Sequence, residues 1–88
     1  PTKKENHDKI KRDQRYGKLY RDAKNNKTWY SKERSGDRAH GGEHWKRFRQ
    51  EGGELIHDAD VDMTGKVMNK HKSNVGTKII LKDTIGIK

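Results

Sequence analysis

With 88 residues, 26% of them hydrophobic and 40% charged, the chain holds one small domain with a modest core and leaves no room for a second. The lack of cysteine excludes disulfides and thiolate zinc sites, and no apolar run approaches the roughly 20 residues that cross a bilayer as a helix. The net charge of +9 lies wholly in residues 1–49, with 16 Lys and Arg against 7 Asp and Glu, while residues 50–88 carry 6 against 6; such a surface suits a polyanion, nucleic acid first.

In chain order, residues 1–14 (PTKKENHDKIKRDQ) hold one large apolar residue, Ile10, and so predict a flexible start or a short surface helix. The chain opens at Pro1 rather than Met, and we expect an excised C-terminal piece of a longer protein. Residues 18–33 place Leu19-Tyr20 and Trp29-Tyr30 on either side of Asn25-Asn26-Lys27, which predicts a hairpin. Trp29 and Tyr30 read as core rather than as a base-stacking platform. Residues 34–42 (RSGDRAHGG) form a glycine-rich loop.

Three strands are expected next, over 44–50, 54–61 and 66–69. Strict alternation along 54–61 puts Leu55, His57, Ala59 and Val61 on one face and Ile56, Asp58 and Asp60 on the other. Trp45 and Phe48, three apart, fit a helical turn or a bulged strand better than a flat one. Residues 70–76 (KHKSNVG) read as a basic loop and residues 77–87 as one β-branched closing strand. The expected product is an α+β domain: an antiparallel sheet of four to six strands preceded by a short N-terminal helical segment, with 18–88 as the β-rich part of one domain over 1–88.

Two motifs invite a metal. His40, Glu43 and His44 have the H-x-x-E-H spacing of one zinc-peptidase class, which works because a helix aims both histidines at the ion. Here Gly41 and Gly42 separate them, at a cost of about 1 kcal/mol each in a helix interior, and the preceding loop leaves no long helix. Asp58, Asp60 and Asp62 copy the first three ligand positions of a calcium loop. The turn glycine that loop needs at 63 is Met63, and its closing acid at 69 is Asn69. Neither a metal nor another cofactor is expected.

What remains suits phosphodiester chemistry. RNA is cut by its own 2′-hydroxyl when one group removes that proton, another protonates the departing 5′-oxygen, and cations hold the charge between them. Histidine serves either proton role near neutral pH. His40 sits in a glycine loop beside Asp37 and Glu43, and His71 sits between Lys70 and Lys72. His57 reads as a satisfied core residue, and His7 falls in the polar start.

The run TWYSKERSGDRAHGGEHWKRF, followed by LIHDADVDMTG and NKHKSNVG, resembles the C-terminal toxin domains of bacterial polymorphic toxins of the contact-dependent and LXG types. Relatives read approximately W-W-S-K-D, G-H-G-G-S-x-x-K-x-Y, A-D-A-D-x-x-G and K-H-K-G. The likeness covers residues 28–76 in the same order. A weaker likeness links Asp37-Arg38-Ala39-His40-Gly41 to the rRNA-cleaving colicin nuclease domain. The resemblance implies a twisted antiparallel sheet of the barnase, EndoU, colicin and RelE kind, with an N-terminal helical part. It also implies metal-independent cleavage of tRNA or rRNA and a cognate immunity protein, which the +9 charge predicts to be acidic. It further implies delivery on a larger secreted or cell-surface toxin into the cytoplasm of a target bacterium. Carried over by position, the matching residues are His40, Lys46, Asp58, Lys70, His71 and Lys72. Glu43, Ser73 and Val75 depart from the relatives' Ser, Gly and Thr.

The expected site is therefore His40 and His71 as acid and base, with Glu43 or Asp37 tuning His40. Asp58 orients Lys70 or His71, or offsets local charge. Lys46, Lys70 and Lys72, with Arg47 and Arg49 beside them, hold the RNA phosphate. The alternatives are a non-catalytic RNA- or DNA-binding β-domain and a metal-dependent DNase toxin.

Overall fold

Backbone pairing, rather than apolar content, decides the start of this chain. A computed structural model describes residues 7–32, 44–62, 64–68 and 76–87. His7–Asp13 is a strand, β1, although Ile10 is its one large apolar side chain. It turns through residues 14–16 into β2 (Gly17–Asp22) and pairs with it antiparallel from Asp13↔Gly17 to His7↔Asp22. The turn is built by Asp13, whose Oδ2 accepts the backbone N–H groups of Arg15 (2.8 Å) and Tyr16 (3.0 Å). Gly17 takes φ +72°, where a side chain would be strained.

The expected N-terminal helical segment is thus incorrect. Among the described residues there is no α-helix, only a 3-10 turn at Leu81–Asp83. The fold is an antiparallel β-sheet curled into a half-barrel, not α+β. A polar segment needs no buried face of its own to be a strand when its neighbour supplies one. In β2 that residue is Leu19, fully buried opposite Lys11.

β3 (Thr28–Lys32) follows a turn in which Thr28 N–H donates to Asn25 O (3.0 Å) and Lys27 N–H to the Asn25 side chain (3.1 Å), so the hairpin expected around Asn25 forms. β4 (Trp45–Glu51) pairs with β3, and β5 (Glu54–Val61) with β4, across a two-glycine turn where Gly52 has φ +59°. β6 (Val67–Met68) takes the C-terminal end of the far edge of β5. The expected closing strand is in fact two. β7 (Lys78–Ile80) pairs with the N-terminal half of β5, and β8 (Ile85–Gly86) pairs with β1.

That split explains the curl. From β7 to β8 the pairing path β7-β5-β4-β3-β2-β1-β8 crosses six strand spacings, about 29 Å if flat. The five Cα steps from Ile80 to Ile85 reach at most about 18 Å. The sheet must bend for both to pair. Arg15, at the β1–β2 turn, spans the mouth of the bend by donating to the Lys78 carbonyl (3.0 Å), and Ile87 N–H donates to Ile10 O (2.8 Å). Inside lie Leu19, Trp29, Phe48, Leu55 and Ile79, with Tyr16 and Leu81 packed against them. Each large side chain enclosed there contributes about 1.5–3 kcal/mol. The Trp29 indole N–H is satisfied by Gln50 Oε1 at 2.9 Å. Tyr30, next in sequence, points to the opposite face and is half-buried.

A candidate nucleic-acid site around a bulge in β5

Between β4 and β5 the register skips one residue. Arg47 faces Ala59 and Phe48 faces His57, leaving Asp58 as the extra residue of a β-bulge. The bulge lies in β5. β4 runs regularly, with Trp45 and Phe48 on opposite faces.

The consequence is a change of face. Strict alternation would send His57 and Asp60 to opposite sides, as the sequence predicts. With Asp58 inserted, both turn toward the interior, and His57 Nε2 lies 2.8 Å from Asp60 Oδ1. The side chains are 0% and 3% exposed. Against a carboxylate acceptor, Nε2 is the nitrogen that carries hydrogen. The imidazole also packs on Phe48, with ring centroids 5.4 Å apart. Lys46 stands directly across from Asp60, and Ser31 across from Lys46. Ser31 is buried and donates from Oγ to Tyr16 O at 2.9 Å. One row on the interior face thus runs Ser31, Lys46, Asp60, with His57 beside it.

Asp58 turns to the other face. Its Oδ1 accepts from Arg47 Nε at 2.9 Å, with the two side chains 22% and 31% exposed. Tyr30 lies directly opposite Arg47, and its phenol titrates above the ordinary tyrosine range. Burial is the main cause, the negative charges of Asp22 and Asp58 add to it, and Arg47 opposes it. Arg49, one turn of the pleat further on, bonds Glu51 Oε2 at 2.7 Å.

The calcium-loop spacing dissolves in this geometry. Asp58 goes to Arg47 on one face and Asp60 to His57 on the other. Asp62 caps the β5–β6 turn, its Oδ1 accepting from Thr64 Oγ1 (2.6 Å), Thr64 N–H (2.8 Å) and Lys66 N–H (3.1 Å). Three carboxylates that point to three places do not make one cation site. Among the described residues no group of three or more His, Asp or Glu gathers as a metal site would need.

Of the residues the sequence singles out, Arg47, Arg49 and Asp58 share the outer face of β4 and β5, and Lys46 lies on the interior face. His40, Glu43, Lys70, His71, Lys72 and Asp37 lie outside the described residues, and with them the test of the H-x-x-E-H spacing, of which His44 alone is seen, buried. Asp58 engages Arg47. The sequence reading missed the His57–Asp60 pair. The available signal was a conflict: alternation left Ile56 on a face with two aspartates in a strand with both faces enclosed, and the bulge takes Asp60 off that face. Among the described residues no helix is long and apolar enough to cross a membrane. Comparison with protein-family models, with curated proteins and with solved structures gives no match.

Proposed function

We propose that this chain is the endoribonuclease domain of an antibacterial toxin, cleaving tRNA or rRNA through the substrate's own 2′-hydroxyl. One observation carries the reading. β4 brings three cations, Lys46, Arg47 and Arg49, against β5, which carries three carboxylates and no Lys or Arg; Asp58 holds Arg47 on the outer face, and Lys46 stands across from Asp60 on the other. Cations held in place by neighbouring carboxylates are preorganised for a phosphate whose charge grows in the transition state. The order of the sequence motifs supports the same reading.

In this reading one histidine of the pair His40 and His71 takes the 2′-hydroxyl proton. The 2′-oxygen then attacks phosphorus, the bond from phosphorus to the 5′-oxygen breaks, and the second histidine protonates that oxygen. His57 is enclosed, bonded to Asp60, and takes no substrate proton. The partners are RNA and an acidic immunity protein, and the domain is carried on a larger toxin that delivers it to the target cytoplasm.

Induced expression in a bacterium tests the proposal, with wild type beside His40→Ala, His71→Ala and Lys46→Ala and total RNA resolved on a denaturing gel. Discrete fragments and growth arrest with wild type alone support it. Intact RNA and normal growth in every strain, with soluble protein present, overturn it in favour of a non-catalytic RNA-binding β-domain. Activity of the purified chain that is lost with EDTA would instead favour a metal-dependent nuclease.

A further inference from the structure

The outer face of the sheet carries a conflict that the proposed chemistry does not use. Arg12 on β1 stands directly opposite Lys18 on β2, and Ile85 on β8 stands directly opposite Arg12. Lys32 on β3 joins them in lining one cleft of about 630 Å³, together with Tyr16, Tyr20 and Gly17. Like charges directly opposite across a sheet are destabilising. Arg12 and Lys18 break that local rule at the rim of the cleft, while Lys32, which also borders it, reaches the Trp45 ring with its Nζ 5.9 Å from the centroid. Two carboxylates also line it. Asp13 is committed to the β1–β2 turn through two backbone N–H groups, and Asp83 borders the cleft beside the cations.

The aromatic rings complete the pattern. Tyr20 is two residues from Lys18 and so on the same face, opposite Tyr30 of β3. Its ring is steadied edge-on by His7, with centroids 4.8 Å apart. Cations that track a backbone, next to aromatic rings on which bases stack, are what single-stranded nucleic acid binds, and the volume falls in the range of small-ligand sites. A rigid duplex hides its base faces and gains nothing from the tyrosines. The cleft also adjoins the bulge site. On that face Tyr20 lies opposite Tyr30, Tyr30 opposite Arg47, and Arg47 bonds Asp58, the extra residue of the bulge.

We infer that this cleft is a binding subsite for single-stranded RNA, with Arg12, Lys18 and Lys32 on phosphates and Tyr20 stacking a base. The inference rests on the ribonuclease reading for the identity of the polymer, but its test does not need cleavage. Fluorescence anisotropy with a labelled 2′-O-methyl oligouridylate, which has no 2′-hydroxyl to attack with, measures binding directly. Three phosphate contacts predict a slope of log affinity against log salt of about −2, and Lys18→Ala is expected to shrink it by about 0.7. Tyr20→Leu is expected to weaken binding about 10-fold with the salt slope kept. Both positions lie on the surface strip, and circular dichroism confirms that each variant folds.

If wild type cleaves RNA, the same variants should raise KM about 10-fold. Unchanged binding and KM in both variants overturn the subsite while leaving the ribonuclease reading intact. No cleavage by wild type, with oligouridylate binding that both variants weaken, overturns the ribonuclease reading and keeps the subsite. Tighter binding of an RNA duplex than of the single strand overturns the inference.

Discussion

His57 and Asp60 meet at 2.8 Å inside the curl of the sheet because one residue between them, Asp58, is surplus to the pairing with β4. The pair and the bulge therefore stand or fall together. Removing one partner strips the other, a buried polar group, of this hydrogen bond, which costs about 1–3 kcal/mol. For a domain whose whole stability lies near 5–15 kcal/mol, that is a large share. Asp60→Ala and His57→Ala are each expected to lose that much in urea unfolding. Replacing both together, with His57→Phe and Asp60→Leu, should recover most of it, because an apolar pair needs no partner. Single variants that lose less than about 1 kcal/mol would show that the contact does not hold the bulge.

The hairpin around Asn25 and the strands over 45–51 and 54–61 were legible in the sequence because aromatic and β-branched runs are punctuated there by Asn-rich or Gly-Gly turns. β1 was not. Its stability comes from pairing with β2 and from Leu19 beneath it, and neither shows in the polar string around Ile10. The split of 77–87 into β7 and β8 was hidden for a related reason. Ile79 belongs to the core and Ile85 is 68% exposed, yet both are isoleucines in one β-branched run. Lys46, Arg47, Arg49 and Asp58 stand out in the sequence by type and order, and the sheet sets Arg47 and Asp58 on one face and Lys46 on the other. The His57–Asp60 contact depends on a one-residue register shift, and a period-two reading cannot see a shift it assumes away.

The β1–β2 turn closes the mouth of the half-barrel through Arg15, so its anchors should matter beyond their own hydrogen bonds. Asp13→Ala removes a carboxylate that accepts two backbone N–H groups and is expected to cost about 2 kcal/mol. Gly17→Ala forces a side chain into the left-handed region at φ +72° and is expected to cost about 1–2 kcal/mol. Chemical denaturation measures both. Amide exchange should accelerate at Ile87, whose N–H donates to β1, as well as within the turn. Faster exchange confined to residues 14–17 would contradict a role for the turn in closure.

Asp62 offers a test by pH. The Thr64 hydroxyl, first, and then the backbone N–H groups of Thr64 and Lys66 hold its carboxylate below the ordinary aspartate range, while its limited desolvation acts the other way. A carboxylate depressed in the fold contributes stability that is present above its unfolded value, near pH 3.9. That contribution disappears as pH falls through the lower folded value. Carbon-detected NMR titration should find the Asp62 midpoint below that of a model peptide. Thr64→Val should move it back up, since the largest of the causes is then gone. An unmoved midpoint would mean that the hydroxyl does not carry the effect.

On the outer face, Tyr30 reports on the Arg47–Asp58 pair. Its phenol is raised chiefly by burial, further by the nearby carboxylates, and is pulled back by Arg47. For an acid raised in the fold, stability is complete below its unfolded value, near pH 10, and falls as pH climbs through the folded one. The two partners of the ion pair act on it with opposite sign, which separates their charges from any shared loss of packing. Asp58→Asn removes a negative charge and is expected to lower the Tyr30 midpoint, leaving it still above ordinary because burial remains. Arg47→Gln removes the opposing charge and is expected to raise it further. Ultraviolet difference absorbance follows the phenolate directly, with Tyr30→Phe identifying its share of the signal. The direct energetic worth of the pair is small, about 0.5–1 kcal/mol at 22% and 31% exposure, so both variants should stay folded through the titration. Midpoints that move in the same direction would mean that packing, not charge, links Tyr30 to the bulge, and would remove the reason to treat Arg47 as an electrostatically fixed phosphate ligand.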